Sequence, residues 1–208
     1  HALMGGAFRE EVRAYATGLY YTEADLTDPA GAADRSRELA ASYLEQGFSA
    51  VKGKVGLLSL PHDIRRMAAV REEVGPDFLL MTDANHAYNR HTARIMGEAL
   101  QELNYYWFEE PLVPEDIEGT TALRNALSIA IASGECEYTR YGMLDLLRAG
   151  AVDILQMDIS AAGGLTEGQA TLALAAAYQT PMCLHVWGSG VAVAAALQLT
   201  AVIPPIPH

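Results

Sequence analysis

Short apolar or β-branched runs recur along the chain, and each is followed by a stretch with helical spacing. The runs cover residues 12–17, 50–55, 78–82, 105–108, 128–132, 152–157 and 181–186. They are nearly continuous in apolar character rather than alternating, which suits strands buried on both faces, as in a parallel sheet. In the segments between them, apolar residues recur at intervals of three and four. After Asp63 they are Ile64, Met67, Val70 and Val74, and Gly75-Pro76 supplies a stop. Asp34 is placed to cap a helix with Leu39, Tyr43 and Leu44 on its inner face and Gly47 at its end. Thr92 is placed to cap another that turns Ile95, Met96, Ala99, Leu100 and Leu103 inward. Met143, Leu146 and Leu147 lead to Gly150. Strands alternating with helices of this length predict βα units joined by right-handed crossovers. No low-complexity segment or polar linker divides the chain, so one α/β domain over residues 1–208 is expected.

The polar residues sharpen this picture, because nearly every expected strand ends in a titratable side chain. These are Lys52 and Lys54, then Asp83, Glu109 with Glu110, Glu135, Asp158 and His185. Successive intervals from Lys54 are 29, 26, 26, 23 and 27 residues. A complete eight-unit barrel of ~250 residues has about 31 per unit, so one unit separates each residue from the next. The prediction is a TIM-like (β/α)-barrel, whose C-terminal strand ends converge on one face where active sites form. Three carboxylates from adjacent strands would repel there unless a cation offsets them. All-oxygen ligands favour Mg²⁺, which leaves positions open for substrate. Asp83, Glu109 and Glu135 are therefore assigned as metal ligands.

Lys52 and Lys54 lie two apart on one strand and share a side. Beside a metal and carboxylates, one can hold a substrate carboxylate oxygen, and the other can act as a base. Asp158 and His185 are one unit apart, on neighbouring strands. A hydrogen bond between them would set the imidazole tautomer and raise its basicity. Bases on the second and seventh strands would flank the metal, and could move protons on either face of a carbon beside a carboxylate. His86 and Trp187 adjoin these residues and are candidates to touch substrate. Gly188-Ser189-Gly190, before an apolar helix, reads as a turn sooner than as an anion-binding helix start, Gly163-Gly164 opens the loop after the sixth strand, and His62 and His91 read as solvated helix-start residues. No Walker loop, dinucleotide fingerprint, HExxH or paired CxxC occurs.

Composition narrows the class. Half of the 208 residues are apolar and 19% are charged, which excludes disorder. A net charge of −12 argues against nucleic acid or an anionic membrane as partner. Two cysteines, Cys136 and Cys183, make no disulfide framework and point to a reducing, cytoplasmic setting. No secretory leader and no membrane-spanning run is evident. The start at His1 and the end at Pro204-Pro205-Ile206-Pro207-His208 read as cuts within a longer protein. At about 31 residues per unit, 208 residues make roughly 6.7 units, in keeping with seven strands rather than eight. Open edges at the first and seventh strands would favour association, and a homo-oligomer is expected.

Six consecutive strand-end motifs resemble those of the enolase superfamily, mandelate racemase/muconate lactonizing enzyme subgroup. They are Lys52-Gly53-Lys54, Thr82-Asp83-Ala84-Asn85, Trp107-Phe108-Glu109-Glu110-Pro111, Gly134-Glu135, Asp158 with Gly163-Gly164, and Leu184-His185-Val186. The resemblance runs from about Met4 to His208. It implies that Lys54 is one base with Lys52 its partner, that Asp158 and His185 form the opposing base, and that Asp83, Glu109 and Glu135 hold Mg²⁺. Enzymes of this superfamily use a Lys or His base with Mg²⁺ to stabilise an ene-diolate. Asn85 matches an Asn near the metal. Within the subgroup the chain is most similar to sugar-acid cycloisomerases and dehydratases. Family members also carry an N-terminal capping domain and a last barrel strand with an acidic residue, and neither is in this sequence. The reaction implied is proton abstraction α to the carboxylate of a sugar acid or lactone, followed by β-elimination. Alternatives are racemisation on the same bases, a Schiff-base aldolase using Lys54, and an inactive truncated fragment.

Overall fold

The computed structural model describes residues 1–204; the end of the terminal run, residues 205–208, lies outside the described residues. Among the described residues, six strands of parallel α/β character follow in chain order: β1 (Ala16–Thr17), β2 (Ala50–Lys54), β3 (Leu79–Asp83), β4 (Trp107–Glu109), β5 (Ala130–Ser133) and β6 (Ile154–Leu155). The helices are α1 (Glu23–Thr27), α2 (Ala32–Glu45), α3 (Leu60–Val74), α4 (Arg90–Glu102), α5 (Ile117–Ala126), α6 (Thr139–Ala149), α7 (Gly164–Ala177) and α8 (Gly190–Ala201). Among the described residues, no helix is long and apolar enough to cross a membrane. The chain divides into two compact units, one spanning Ala14–Ala130 and the other joining His1–Arg13 to Ile131–His208.

In the Ala14–Ala130 unit, β1 to β4 pair in parallel with matched ends. Lys54 stands opposite Asp83, and Asp83 opposite Glu109. Strands β2 to β4 are buried on both faces, as their continuous apolar character predicts. Met67 and Val70 of α3, Leu80 and Met81 of β3, Met96 and Leu100 of α4 and Phe108 of β4 build the core. In the second unit β5 pairs with β6. Helices α7 and α8 close around Ile159, Ala196, Leu199 and Val202, with Met4 packed against this cluster. The N-terminal segment is tied to the end of α8, through Phe8 N–H to Ala201 O (2.8 Å) and the Arg9 guanidinium to Ile203 O (2.7 Å).

Several expected elements shift. The run at 12–17 pairs only at Ala16 and Thr17. The run at 181–186 joins the sheet by two isolated bridges, Leu155 with Met182 and Asp158 with His185, rather than as a strand. Helix α2 starts at Ala32, ahead of Asp34. Its buried positions are Ala32, Ser36 and Ala40, while Leu39 (37% exposed) and Leu44 (45%) face outward. The inward stripe there is made of small residues and the half-buried Tyr43, which packs on Phe48, while Leu39 and Leu44 flank it on either side. Asn89, not Thr92, caps α4; its side chain accepts from the amides of His91 and Thr92, and Thr92 returns a contact as the third residue of a capping box. Ile95 is also partly exposed.

Candidate active site

Four charged side chains, three of them buried and Lys54 partly so, form a row at the C-terminal ends of β2, β3 and β4. Lys52 and Lys54 share one side of β2, as their spacing requires. The Lys52 ammonium lies 2.5 Å from Glu109 Oε1 and 3.8 Å from Asp83 Oδ2. The Lys54 ammonium lies 2.5 Å from Asp83 Oδ2 and 2.6 Å from Asn85 Oδ1. Trp107, two residues before Glu109 on the same face of β4, donates its indole N–H to Glu109 Oε2 at 2.9 Å. The Asn85 amide donates to Asp83 Oδ1 at 2.9 Å. Asp83 and Glu109 are almost wholly buried. Charges so placed are tolerable only when paired and hydrogen-bonded, and each carboxylate here has both.

The loops that follow these strands are strained in a consistent way. Asn85, His86 and Glu110 all adopt positive φ (41°, 65° and 42°), a region costly for residues with a side chain and often found at functional sites. Glu110 is buried and grips His86 twice. Its carbonyl accepts the His86 amide at 2.8 Å, and its Oε2 lies 2.8 Å from His86 Nε2. Nothing in the sequence signals this partner: Glu110 reads as a second acid beside Glu109. Tyr20 also carries no sequence signal for this site. Its ring lies 5.9 Å from the Lys54 ammonium, and nearly half its surface is open.

The second unit holds the other expected residues. Gly134 follows β5 with φ of 137° and lets the chain turn hard against the backbone of Gln156. Glu135 comes next. His185 Nδ1 lies 2.6 Å from Asp158 Oδ2, and the other oxygen of Asp158 accepts the amides of Ser160 (2.6 Å) and Ala161 (3.2 Å). The carboxylate is thus held from behind, and it orients the imidazole. His185 Nε2 lies 3.3 Å from Glu135 Oε2. Trp187 is 74% exposed. Gly163 caps α7 and Gly164 is its first residue, so this pair starts a helix directly. Ser189 is the N-cap of α8, and no disulfide joins Cys136 and Cys183.

Asp83 and Glu109 in the first unit and Glu135 in the second each offer carboxylate oxygen, the donor type of a hard divalent cation. Against known proteins, the sequence model described as "Enolase C-terminal domain-like" matches residues 35–208. The chain belongs to that family. It is 44% identical to a D-galactarolactone cycloisomerase of Agrobacterium fabrum, over 99% of this chain and 53% of the relative. It is 34% identical to an arabinonate dehydratase of Saccharolobus solfataricus, over 98% of this chain and 52% of the relative. A solved mandelate racemase/muconate lactonizing protein from Paracoccus denitrificans, complexed with magnesium, superposes with a TM-score of 0.88 at 28% identity. The match covers 100% of this chain and 56% of that one. The chain therefore spans about half the length of the relatives it matches. As a member of the enolase superfamily, it has cycloisomerases and sugar-acid dehydratases as relatives.

Proposed function

We propose that the protein is a Mg²⁺-dependent enzyme that removes the proton α to the carboxylate of a sugar acid or its lactone and then expels a β-oxygen. The row at the ends of β2, β3 and β4, where two ammonium groups meet two carboxylates, carries this reading. Asp83, Glu109 and Glu135 would hold Mg²⁺; they close three consecutive βα units and offer only oxygen donors. When bound, the cation supplies positive charge to the oxyanion that develops on proton removal.

Lys52 is placed to bind a substrate carboxylate oxygen and to meet its growing charge. Lys54 and His185 are the two bases. One takes the α-proton, and the other or a further acid protonates the leaving oxygen as the Cβ–O bond breaks. Asp158 holds His185 in the required tautomer. The enol left behind becomes a 2-keto-3-deoxy acid. With a lactone, the ring oxygen is the leaving group and the net change is isomerisation. Asn85, His86 and Trp187 would contact substrate. The finer architecture belongs to the same proposal: a TIM-like barrel of which this chain is a part, with a capping domain and last strand outside these residues.

The test is a screen of aldonic and aldaric acids and their lactones with and without EDTA, with products read by mass and NMR. Loss of water, or a ring-opened isomer, in the Mg²⁺ samples alone is the expected result. Unchanged mass with lost configuration would replace elimination by racemisation. EDTA-insensitive trapping by borohydride at Lys54 would overturn the metal assignment in favour of a Schiff-base aldolase.

A further inference from the structure

A second group of buried polar side chains lies behind Lys54, outside the row described above. Arg66 and Asp63, one turn apart on α3, are both buried almost completely. The Arg66 guanidinium spends its donors on separate parts of the chain. Nη1 reaches Lys54 O (3.1 Å) and Asp63 Oδ1 (3.0 Å), Nη2 reaches Leu19 O (3.0 Å), and Nε reaches Ser36 Oγ (3.1 Å). Asp63 accepts the Tyr21 hydroxyl at 2.6 Å through Oδ1 and the Gly56 amide at 2.8 Å through Oδ2. The Tyr21 oxygen in turn accepts the Leu57 amide at 3.2 Å. The guanidinium lies over the Tyr21 ring, 4.2 Å from its centre.

These bonds converge on the backbone around Lys54. The Lys54 carbonyl and the amides of Gly56 and Leu57 are each held by one member of the trio. Leu19, whose carbonyl Arg66 also holds, precedes Tyr20, the ring beside the Lys54 ammonium. Burial, and then the Asp63 carboxylate, push the Tyr21 hydroxyl well above its ordinary pKa, so it stays a donor. A core helix needs neither a buried ion pair nor a buried phenol for stability, since apolar groups of similar volume often serve as well. Three polar groups that each end on backbone next to one lysine are a positioning arrangement.

We propose that Tyr21, Asp63 and Arg66 are positioning residues that set the Lys54 ammonium against Asp83 and Asn85. The consequence for catalysis rests on the reading of Lys54 as a base. The placement itself does not, and it can be read separately. Lys52 and Lys54 are the only lysines in the sequence, so an amine-directed acylating reagent reports on these two side chains alone, apart from the N-terminus. Lys52 serves as the internal reference, because none of the three residues holds its backbone or ammonium in the bonds above.

The experiment labels the intact protein with limiting acetic anhydride and quantifies each lysine by fragment-ion mass spectrometry. Tyr21→Phe removes one hydroxyl and keeps the ring under Arg66. It is expected to raise the Lys54-to-Lys52 labelling ratio about threefold or more, the scale of one lost hydrogen bond. Asp63→Asn is expected to raise it further. Should Asp63→Asn fail to fold, Tyr21→Phe alone decides. An unchanged ratio, or both lysines rising together, would overturn the proposal and leave the trio a purely structural cluster. Failure of the sugar-acid screen with an altered ratio would sink the catalytic reading and leave the positioning role standing.

Discussion

Replacing Lys52 by Met tests the charged row most severely. Lys52 is 6% exposed, and its ammonium lies 2.5 Å from Glu109 Oε1 and 3.8 Å from Asp83 Oδ2, both on nearly inaccessible carboxylates. At an effective dielectric of about 20, the shorter contact alone amounts to about 7 kcal/mol of attraction before desolvation is counted. Much of that offsets the cost of burying the charges, but removal of one partner leaves the others uncompensated, and such deletions cost about 3–5 kcal/mol. Met keeps most of the volume, so the loss reads charge rather than packing. Urea unfolding without divalent cations is expected to show a loss in that range. Saturating Mg²⁺ is expected to restore part of it, because a ligand at a hundredfold its Kd adds about 2.7 kcal/mol to whichever state binds it. A loss under about 1 kcal/mol, or one that Mg²⁺ leaves untouched, would refute the reasoning.

Other expectations follow from single contacts. Asp158→Asn deprives His185 of its anionic partner and is expected to lower turnover by about a hundredfold; full activity would deny His185 its role as base. Gly134→Ala places a Cβ 3.2 Å from Gln156 N at φ of 137°, and is expected to cost about 1–3 kcal/mol in urea unfolding; a neutral result would mean the turn can relax. The Glu167 carboxyl is held down to about 2 from 4.5 by the Arg140 side chain first and the Arg140 amide second. Because the folded value is the lower one, its contribution to stability is present above pH 4.5 and is lost as the pH falls towards 2. Arg140→Met is expected to return the NMR-titrated value towards 4.5 and to remove that acid sensitivity.

What is legible in the sequence follows from a spacing that parallel βα units impose. One strand end per unit places Lys54, Asp83, Glu109, Glu135, Asp158 and His185 in order, and within each unit the structure gathers the residues expected together. His185 beside Asp158 is the clearest case. Contacts made by loops are less legible. The grip of Glu110 on His86 depends on left-handed turns at both residues, which no residue type there announces. Asp63 looks like an ordinary helix-start acid, yet it is buried; only its spacing of three from Arg66 hints at a pair. Helix α2 misleads because its buried stripe is Ala and Ser, and Leu39 and Leu44 lie outside it.

The most direct measurement is hydrogen exchange at the carbon α to the carboxylate. Aldarates, their lactones and a set of aldonates would be incubated in D₂O with the protein and Mg²⁺ and followed by proton NMR. Loss of the α-proton signal of at least one substrate is expected with Mg²⁺ present, abolished by EDTA and by His185→Asn together with Lys54→Met. Retention of every α-proton under Mg²⁺, or exchange that persists in EDTA, would contradict metal-assisted proton abstraction by these residues.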